Sequence, residues 1–305
     1  MTAASPWHEG EQAMQARAGV LERMAMFGTR VLRDYMPDQH RTFFAQLPFL
    51  IAASLDGTKQ PWASVLAAPA GFAHSPDEHH LRIDAHADAG DPFSDGLVRG
   101  AQIALLGIEP HTGRRNRMNG VVEEMDASGF TVAVRQSFGN CPKYIQAREP
   151  LFVDESRTGS PVRRIDVLDA AARRMVANAD TFFIATAHPS AGDGATSHGV
   201  DVSHRGGRPG FVRVSDDGAL TVPDFIGNSF FNTLGNIAVN PRTGLLFIDF
   251  DTGDLLQLAV TAEVIWDGAE LAAFEGAERL LRMRVVAAIH RPAALPLHWG
   301  PADLS

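Results

Sequence analysis

The chain states one long pattern twice. Phe49-Leu50-Ile51-Ala52-Ala53 opens the first copy, and Phe182-Phe183-Ile184-Ala185-Thr186 opens the second. A polar turn follows each, then a short strand-like run, at 62–66 and at 199–203. Each copy next reaches a Gly-Phe pair, Gly71-Phe72 and Gly210-Phe211, and an apolar alternation, Leu81-Arg82-Ile83 and Leu220-Thr221-Val222. A helix-like segment comes next, then a buried-looking run, 104–108 or 244–248, and a further strand, 118–123 or 255–264. Copies this long are duplicated domains rather than solenoid units. A duplicated domain can build a site at a pseudo-two-fold interface inside one chain. Many short strands with few helices between them predict a barrel or sandwich, not a doubly wound α/β sheet.

The 305 residues are ample for two cores. A formal net charge of -9 argues against nucleic acid and anionic membrane as partners, because both need a basic face. It leaves room for a local basic pocket. One cysteine, Cys141, excludes an intrachain disulfide and fits a reducing compartment; it reads as a packed thiol. No leader pattern is seen at the start and no apolar run approaches the ~20 residues of a membrane span, so a cytoplasmic protein is expected.

Residues 9–31 read as one helix stopped by Gly28, and 38–47 as a second; both lead into the first repeat. Asp56-Gly57, Ser128-Gly129, Asp216-Asp217-Gly218 and the 251–254 segment are hairpin turns. Residues 91–97 begin a short crossover helix. Arg114, Arg115 and Arg117 read as a solvated basic turn within 109–119. The segment 154–160 is a polar linker, followed by a helix at 166–179 capped by Asp166 or Asp169. A helical segment is expected at 228–239, a last helix at 271–281 and a closing strand at 282–289. The domain division is a helical segment 1–48, a first barrel 49–160 and a second barrel 161–305. His188, His198 and His204 match no zinc spacing, so no metal site is expected.

The second copy carries Asp201-Val202-Ser203-His204-Arg205-Gly206-Gly207-Arg208-Pro209-Gly210-Phe211, then Leu220-Thr221-Val222-Pro223-Asp224, Gly227-Asn228-Ser229, Asn232-Thr233-Leu234-Gly235-Asn236-Ile237 and Asn240-Pro241-Arg242-Thr243-Gly244. These segments, with Asn140-Cys141-Pro142-Lys143-Tyr144-Ile145, closely resemble the flavin-nucleotide-binding branch of the pyridoxamine 5'-phosphate oxidase-like family. The resemblance runs from Glu9 onward and is best in the second copy. It implies a mainly β fold with flanking helices: two tandem FMN-binding split β-barrels of six strands each, forming an intrachain pseudo-dimer.

The resemblance further implies FMN as cofactor and an FMN-dependent oxidoreductase. Electrons or hydride would pass between the flavin and a small-molecule substrate, with an external electron donor or reductase. A homodimer of such pseudo-dimers is also compatible. On this reading Arg205, just after its strand, and Ser203 hold the phosphate, because a charged fork and a hydroxyl suit a dianion. Asn228, Ser229 and Asn232 add an anion site where a loop enters a helix. Gln257 faces the cofactor and Asp224 flanks the isoalloxazine. The first copy departs from the pattern. It lacks an arginine matching Arg205, and Asp91 stands where phosphate would be repelled. One strong FMN site per chain is therefore expected. Trp62, Arg82, Arg117, Asn119 and Lys143 are the candidates for its far wall or for substrate. Two rival readings remain open: a flavin-binding or storage module without catalysis, and a related split barrel that takes haem or a deazaflavin.

Overall fold

The computed structural model describes residues 5–153, 161–165 and 168–300. Three helices come first: α1 (Glu9–Arg17), α2 (Leu21–Val31) and α3 (Asp38–Ala45). The first repeat follows with β1 (Phe49–Leu55), β2 (Pro61–Ala67), β3 (Ala73–Asp77), β4 (His80–Ile83), α4 (Pro92–Asp95), β5 (Gln102–Glu109), β6 (Arg114–Met125) and β7 (Phe130–Gly139). A connection carries β8 (Pro150–Phe152), β9 (Arg163–Ile165) and α5 (Ala170–Asn178). The second repeat contributes β10 (Thr181–Ala187), β11 (Val200–Gly206), β12 (Arg213–Val214), β13 (Leu220–Asp224), α6 (Asn232–Val239), β14 (Arg242–Ile248), β15 (Leu255–Ile265) and β16 (Arg279–Arg291). β17 (Leu297–Trp299) then returns to pair with β8.

The duplication is visible in strand order. One sheet runs β2-β1-β5-β6-β7-β4-β3, and the other runs β11-β10-β14-β15-β16-β13-β12, the same path element for element. Each path has seven strands, one more than six, and β9 adds to the second sheet by pairing with β16. Each sheet curls round its own core. Leu66 on β2 and Leu81 on β4, from opposite ends of the first path, share one apolar cluster with Phe43, Phe93 and Phe130. Phe182, Leu220, Leu245, Leu258 and Leu281 do the same in the second. The alternate faces of β1, β2 and β5 meet those of β10, β11 and β14 in a third cluster that includes Phe49, Ile51, Leu106, Phe183, Val202 and Leu246. Fully buried strands read as near-continuous apolar runs, and this shared cluster is why both copies open with one.

The helical expectations need several corrections. The 9–31 helix is broken, because Gly19 takes φ +71°, a left-handed conformation that ends α1. Gly28 does not stop α2; it sits against Trp7, with no room for a side chain. α1 does not lead into the first barrel but lies on α6 of the second. There a Cβ on Gly10 would stand 2.2 Å from the Gly235 carbonyl oxygen, and Gln15 Nε2 donates to Phe230 O at 3.1 Å. The expected helix at 271–281 is a single 3₁₀ turn (Leu271–Ala273) followed by β16. Leu280, Leu281 and Met283 are all fully buried at its start, so both strand faces are covered and no period of two is legible. The expected linker 154–160 and the Asp166 cap lie outside the described residues. Asp169 caps α5, accepting from Ala172 N at 2.8 Å. Among the described residues no helix is long and apolar enough to cross a membrane.

Candidate functional site

A cleft of about 280 Å³ opens where β6 of the first barrel faces β11, β13 and the start of α6 in the second. Ser203, Arg205, Asp224, Asn228, Ser229, Asn232 and Lys143 all line it. Cys141, Tyr144, Arg23 of α2 and Arg279 of β16 line it as well. Arg205 stands within β11, not after it.

Arg117 projects from β6 across the junction. Its Nη1 donates to Asp201 Oδ1 at 2.5 Å and to Asn232 Oδ1 at 3.1 Å, and its Nη2 donates to Ser203 Oγ at 2.5 Å. Thr233 Oγ1 donates to the same hydroxyl at 2.9 Å. Arg205 pairs with Asp224, whose other oxygen accepts from Arg279 Nε at 2.7 Å. Arg115 donates to His204 Nδ1 at 3.1 Å and has no ion-pair partner among the described residues. The loop into α6 is strained: Ser229 (φ 64°) and Phe231 (φ 63°) are left-handed without being glycine. α6 has no side-chain cap, so its first N–H groups are left for other acceptors.

The electrostatics of the cleft oppose those of the chain. Arg23, Arg115, Arg117, Lys143, Arg205 and Arg279 line it, against Asp224 and Glu278. Burial, followed by repulsion from Arg117, lowers Arg115 to about 10. Burial likewise lowers Arg117, and it holds His204 well below its ordinary value, so the ring is neutral. Four buried donors in this lining have no partner among the described residues: Nε of Arg115, Arg117 and Arg205, and Nδ2 of Asn140. An unmade buried hydrogen bond costs about 1–3 kcal/mol, more for a charged group. Such a set is fitted to an anion that accepts several hydrogen bonds at once, and a phosphate monoester meets that requirement.

Four sequence candidates lie elsewhere. Trp62 donates from Nε1 to Asp56 Oδ2 at 2.9 Å and packs on Ala259 and Ile289. Gln257 donates to Ala63 O at 2.9 Å and Asp91 Oδ1 at 3.0 Å, on the far junction. Asn119 bonds Gln136 at 3.1 Å and stands beside Asp201, behind the cleft rather than in it. Arg82 is tied to Asp84 and Asp126 at an exposed hairpin. Conversely, Arg115 and Arg117 are no solvated turn. The turn ends at Gly113, and both lie on β6 with Arg117 only 4% exposed. The alternation Arg115, Arg117, Asn119 was the available signal, a polar face of period two.

One group of metal-binding residue types, His8, Glu9 and His188, also comes together, with ligand atoms within 4.8 Å of one another. In both rings Nδ1 accepts a backbone N–H, from Gly10 and from Ser190, each at 3.1 Å. Nε2 therefore carries the proton in each neutral ring. His188 Nε2 donates to Glu9 Oε1 at 2.9 Å, and His198 stacks on His188 with centroids 3.8 Å apart. The group clamps the start of α1 to the second barrel.

No family profile matches the chain, and no curated protein matches it. Among solved structures, HupZ of Group A Streptococcus shares 16% identity at a TM-score of 0.31, over 39% of this chain and 91% of that one. A Lactobacillus delbrueckii protein assigned provisionally as a pyridoxamine 5'-phosphate oxidase shares 15% at 0.31, over 41% and 97%. A Clostridium acetobutylicum protein related to general stress protein 26, of the pyridoxinephosphate oxidase family, shares 12% at 0.28, over 43% and 91%. The fold assignment rests on the strand order of the chain itself.

Proposed function

We propose that the chain is an FMN-binding flavoprotein and an oxidoreductase acting on a small molecule, with the flavin held in the cleft between the barrels. The observation that carries this reading is the set of four unpartnered donors on Arg115, Arg117, Arg205 and Asn140. Arg117, Arg205 and Ser203 would hold the phosphate, with the uncapped start of α6 adding backbone N–H groups. Asn228, Ser229 and Asn232 would serve the ribityl chain. The stacked pair Tyr144 and Phe225, centroids 5.4 Å apart, gives the cleft a flat apolar wall suited to a ring system. Bound flavin supplies hydride or electron transfer, and the protein sets its orientation and environment. No nucleophile is required of the lining, and an external donor would reduce the flavin. One site per chain is proposed, because the other junction is filled by its own side chains.

The test is a visible spectrum of the freshly purified protein, with chromatography of whatever denaturation releases, then titration with FMN. A flavin band, FMN in the supernatant and saturation at one FMN per chain are expected. A colourless protein that takes up no added FMN overturns the reading. A Soret band would transfer the site to haem.

A further inference from the structure

Behind the cleft, polar groups from four elements form one buried chain. Glu11, on α1, is 4% exposed. Its Oε1 accepts from Asn232 Nδ2 at 2.5 Å, and its Oε2 accepts from His8 N at 2.9 Å. Asn232 Oδ1 in turn accepts from Arg117 Nη1, which also meets Asp201. The Asn232 amide is thereby oriented from both ends: its NH2 is committed to Glu11, so its oxygen faces the guanidinium. Arg117 can only donate and so takes the amide oxygen, while Glu11 Oε1 anchors the NH2 at the other end and holds the amide in place.

We propose that Glu11 is a positioning residue for the anion site: held by a helix outside both barrels, its carboxyl fixes Asn232 and, through Asn232, the guanidinium of Arg117 that faces the ligand. This rests on the reading of the cleft as an anion site. The α1 helix is held for that task at two points, by the His8, Glu9 and His188 clamp and by the close contact of Gly10 with Gly235.

A charge count supports the assignment. Two buried carboxyls, Glu11 and Asp201, face one buried guanidinium, Arg117. Glu11 otherwise meets Asn232 from α6 and the backbone and ring of His8, while the charge of Arg205 acts on Arg117 and Asp201. Burial first, then the charge of Asp201, pushes Glu11 up to about 8, while burial lowers His8 to about 4. Near neutral pH Glu11 is uncharged. Its ionisation above pH 8 adds a negative charge behind the site and opposes an incoming anion.

The experiment measures the affinity of FMN and, separately, of phenyl phosphate from pH 7 to pH 9, where a phosphate monoester is already mostly dianionic. Wild type, Glu11→Gln and Glu11→Leu are compared, with circular dichroism and thermal melting to establish folding. Wild type is expected to weaken several-fold across this range. Glu11→Gln, which keeps an acceptor for Asn232, is expected to match wild type at pH 7 and to lose that pH dependence. Glu11→Leu is expected to bind about ten-fold more weakly at pH 7, as for one lost hydrogen bond in a charged network. A folded Glu11→Leu protein that binds like wild type overturns the proposal, as does a Glu11→Gln protein that keeps the wild-type pH profile. If Glu11→Leu fails to fold, the Glu11→Gln profile decides alone. Phenyl phosphate binding without FMN binding would overturn the flavin reading yet leave the Glu11 comparison readable. Binding of neither overturns both.

Discussion

The two junctions between the barrels are built from equivalent positions and have opposite characters. Setting Leu50 on Phe182, each facing its own core, puts Ser64 on Ser203, Leu66 on Arg205 and Arg117 on Gln257 through the pairing registers. The same registers put Asn140 on Arg291. At the open junction a serine, arginines and Asn140 face a cleft with donors to spare. At the other, Ser64 donates to Asp91, Gln257 Nε2 bonds Asp91 at 3.0 Å, and Arg291 bonds Asp91 and Asp88, each at 2.5 Å. The second junction carries its own anion on the chain. Asp91, which also caps α4 by accepting from Phe93 N at 2.9 Å, stands where the open junction would, on the proposed function, take its ligand. A duplicated interface thus provides one open cleft and one internal clasp from the same strand positions.

Arg291→Ala separates the two junctions most sharply. It leaves Asp91, 1% exposed, without its cation. Removing one partner of a buried pair costs about 3–5 kcal/mol. Urea denaturation should read a loss of that size, with FMN affinity of the surviving folded protein unchanged. An equal loss of affinity would mean that the two junctions are not independent.

A second test uses pH. Glu11 is raised from 4.5 to about 8 in the folded protein, so the folded state holds a proton that the unfolded state releases. Its contribution is complete below pH 4.5 and is lost as pH rises towards 8. Glu11→Gln should remove that slope and leave the variant more stable than wild type at pH 8.5, by on the order of a few kcal/mol. Denaturation curves at pH 6 and pH 8.5 decide it. Unchanged relative stability between the two would mean that Glu11 is ionised throughout.

The smallest effect falls on the open side. Arg205→Ala removes one charged contact worth about 1.5–3 kcal/mol, or roughly 10- to 100-fold in FMN affinity. Asp224 keeps Arg279 as partner, so the melting temperature should move little. Thus Arg291→Ala should act on stability and Arg205→Ala on binding. The reverse pattern would mean that the occupied and self-filled junctions have been assigned the wrong way round.

The repeat was legible because both copies bury the same strands on both faces, and continuous apolar runs survive in the sequence. The second barrel's half of the cleft was legible for a related reason: Ser203, Arg205, Asp224 and Asn232 fall within a short stretch. The first barrel's half was not. Arg115 and Arg117 gain their meaning from partners such as Asp201 and His204, 84 and 89 residues away, and local composition makes them look like a solvated turn. Gln257 was misplaced because it occupies the position in its own barrel that Arg117 occupies in the other. Pattern reading finds the position but not which junction it faces. Glu11 left no local trace, since its N-terminal helix reads only as a lead-in to the first repeat.

Glu11 and Asn232 are 221 residues apart, and this distance bears on how the protein is made. During synthesis the α1 helix leaves the ribosome before the first barrel, while its docking partner α6 emerges only after the whole of that barrel. A helix of nine residues is marginal in water alone. It must therefore wait, unfolded, until the second barrel can receive it, whereas the first barrel can form earlier as a unit. Closing so long a loop places this step late in folding. The back of the cleft is thus assembled only on a chain whose second barrel has been translated and folded.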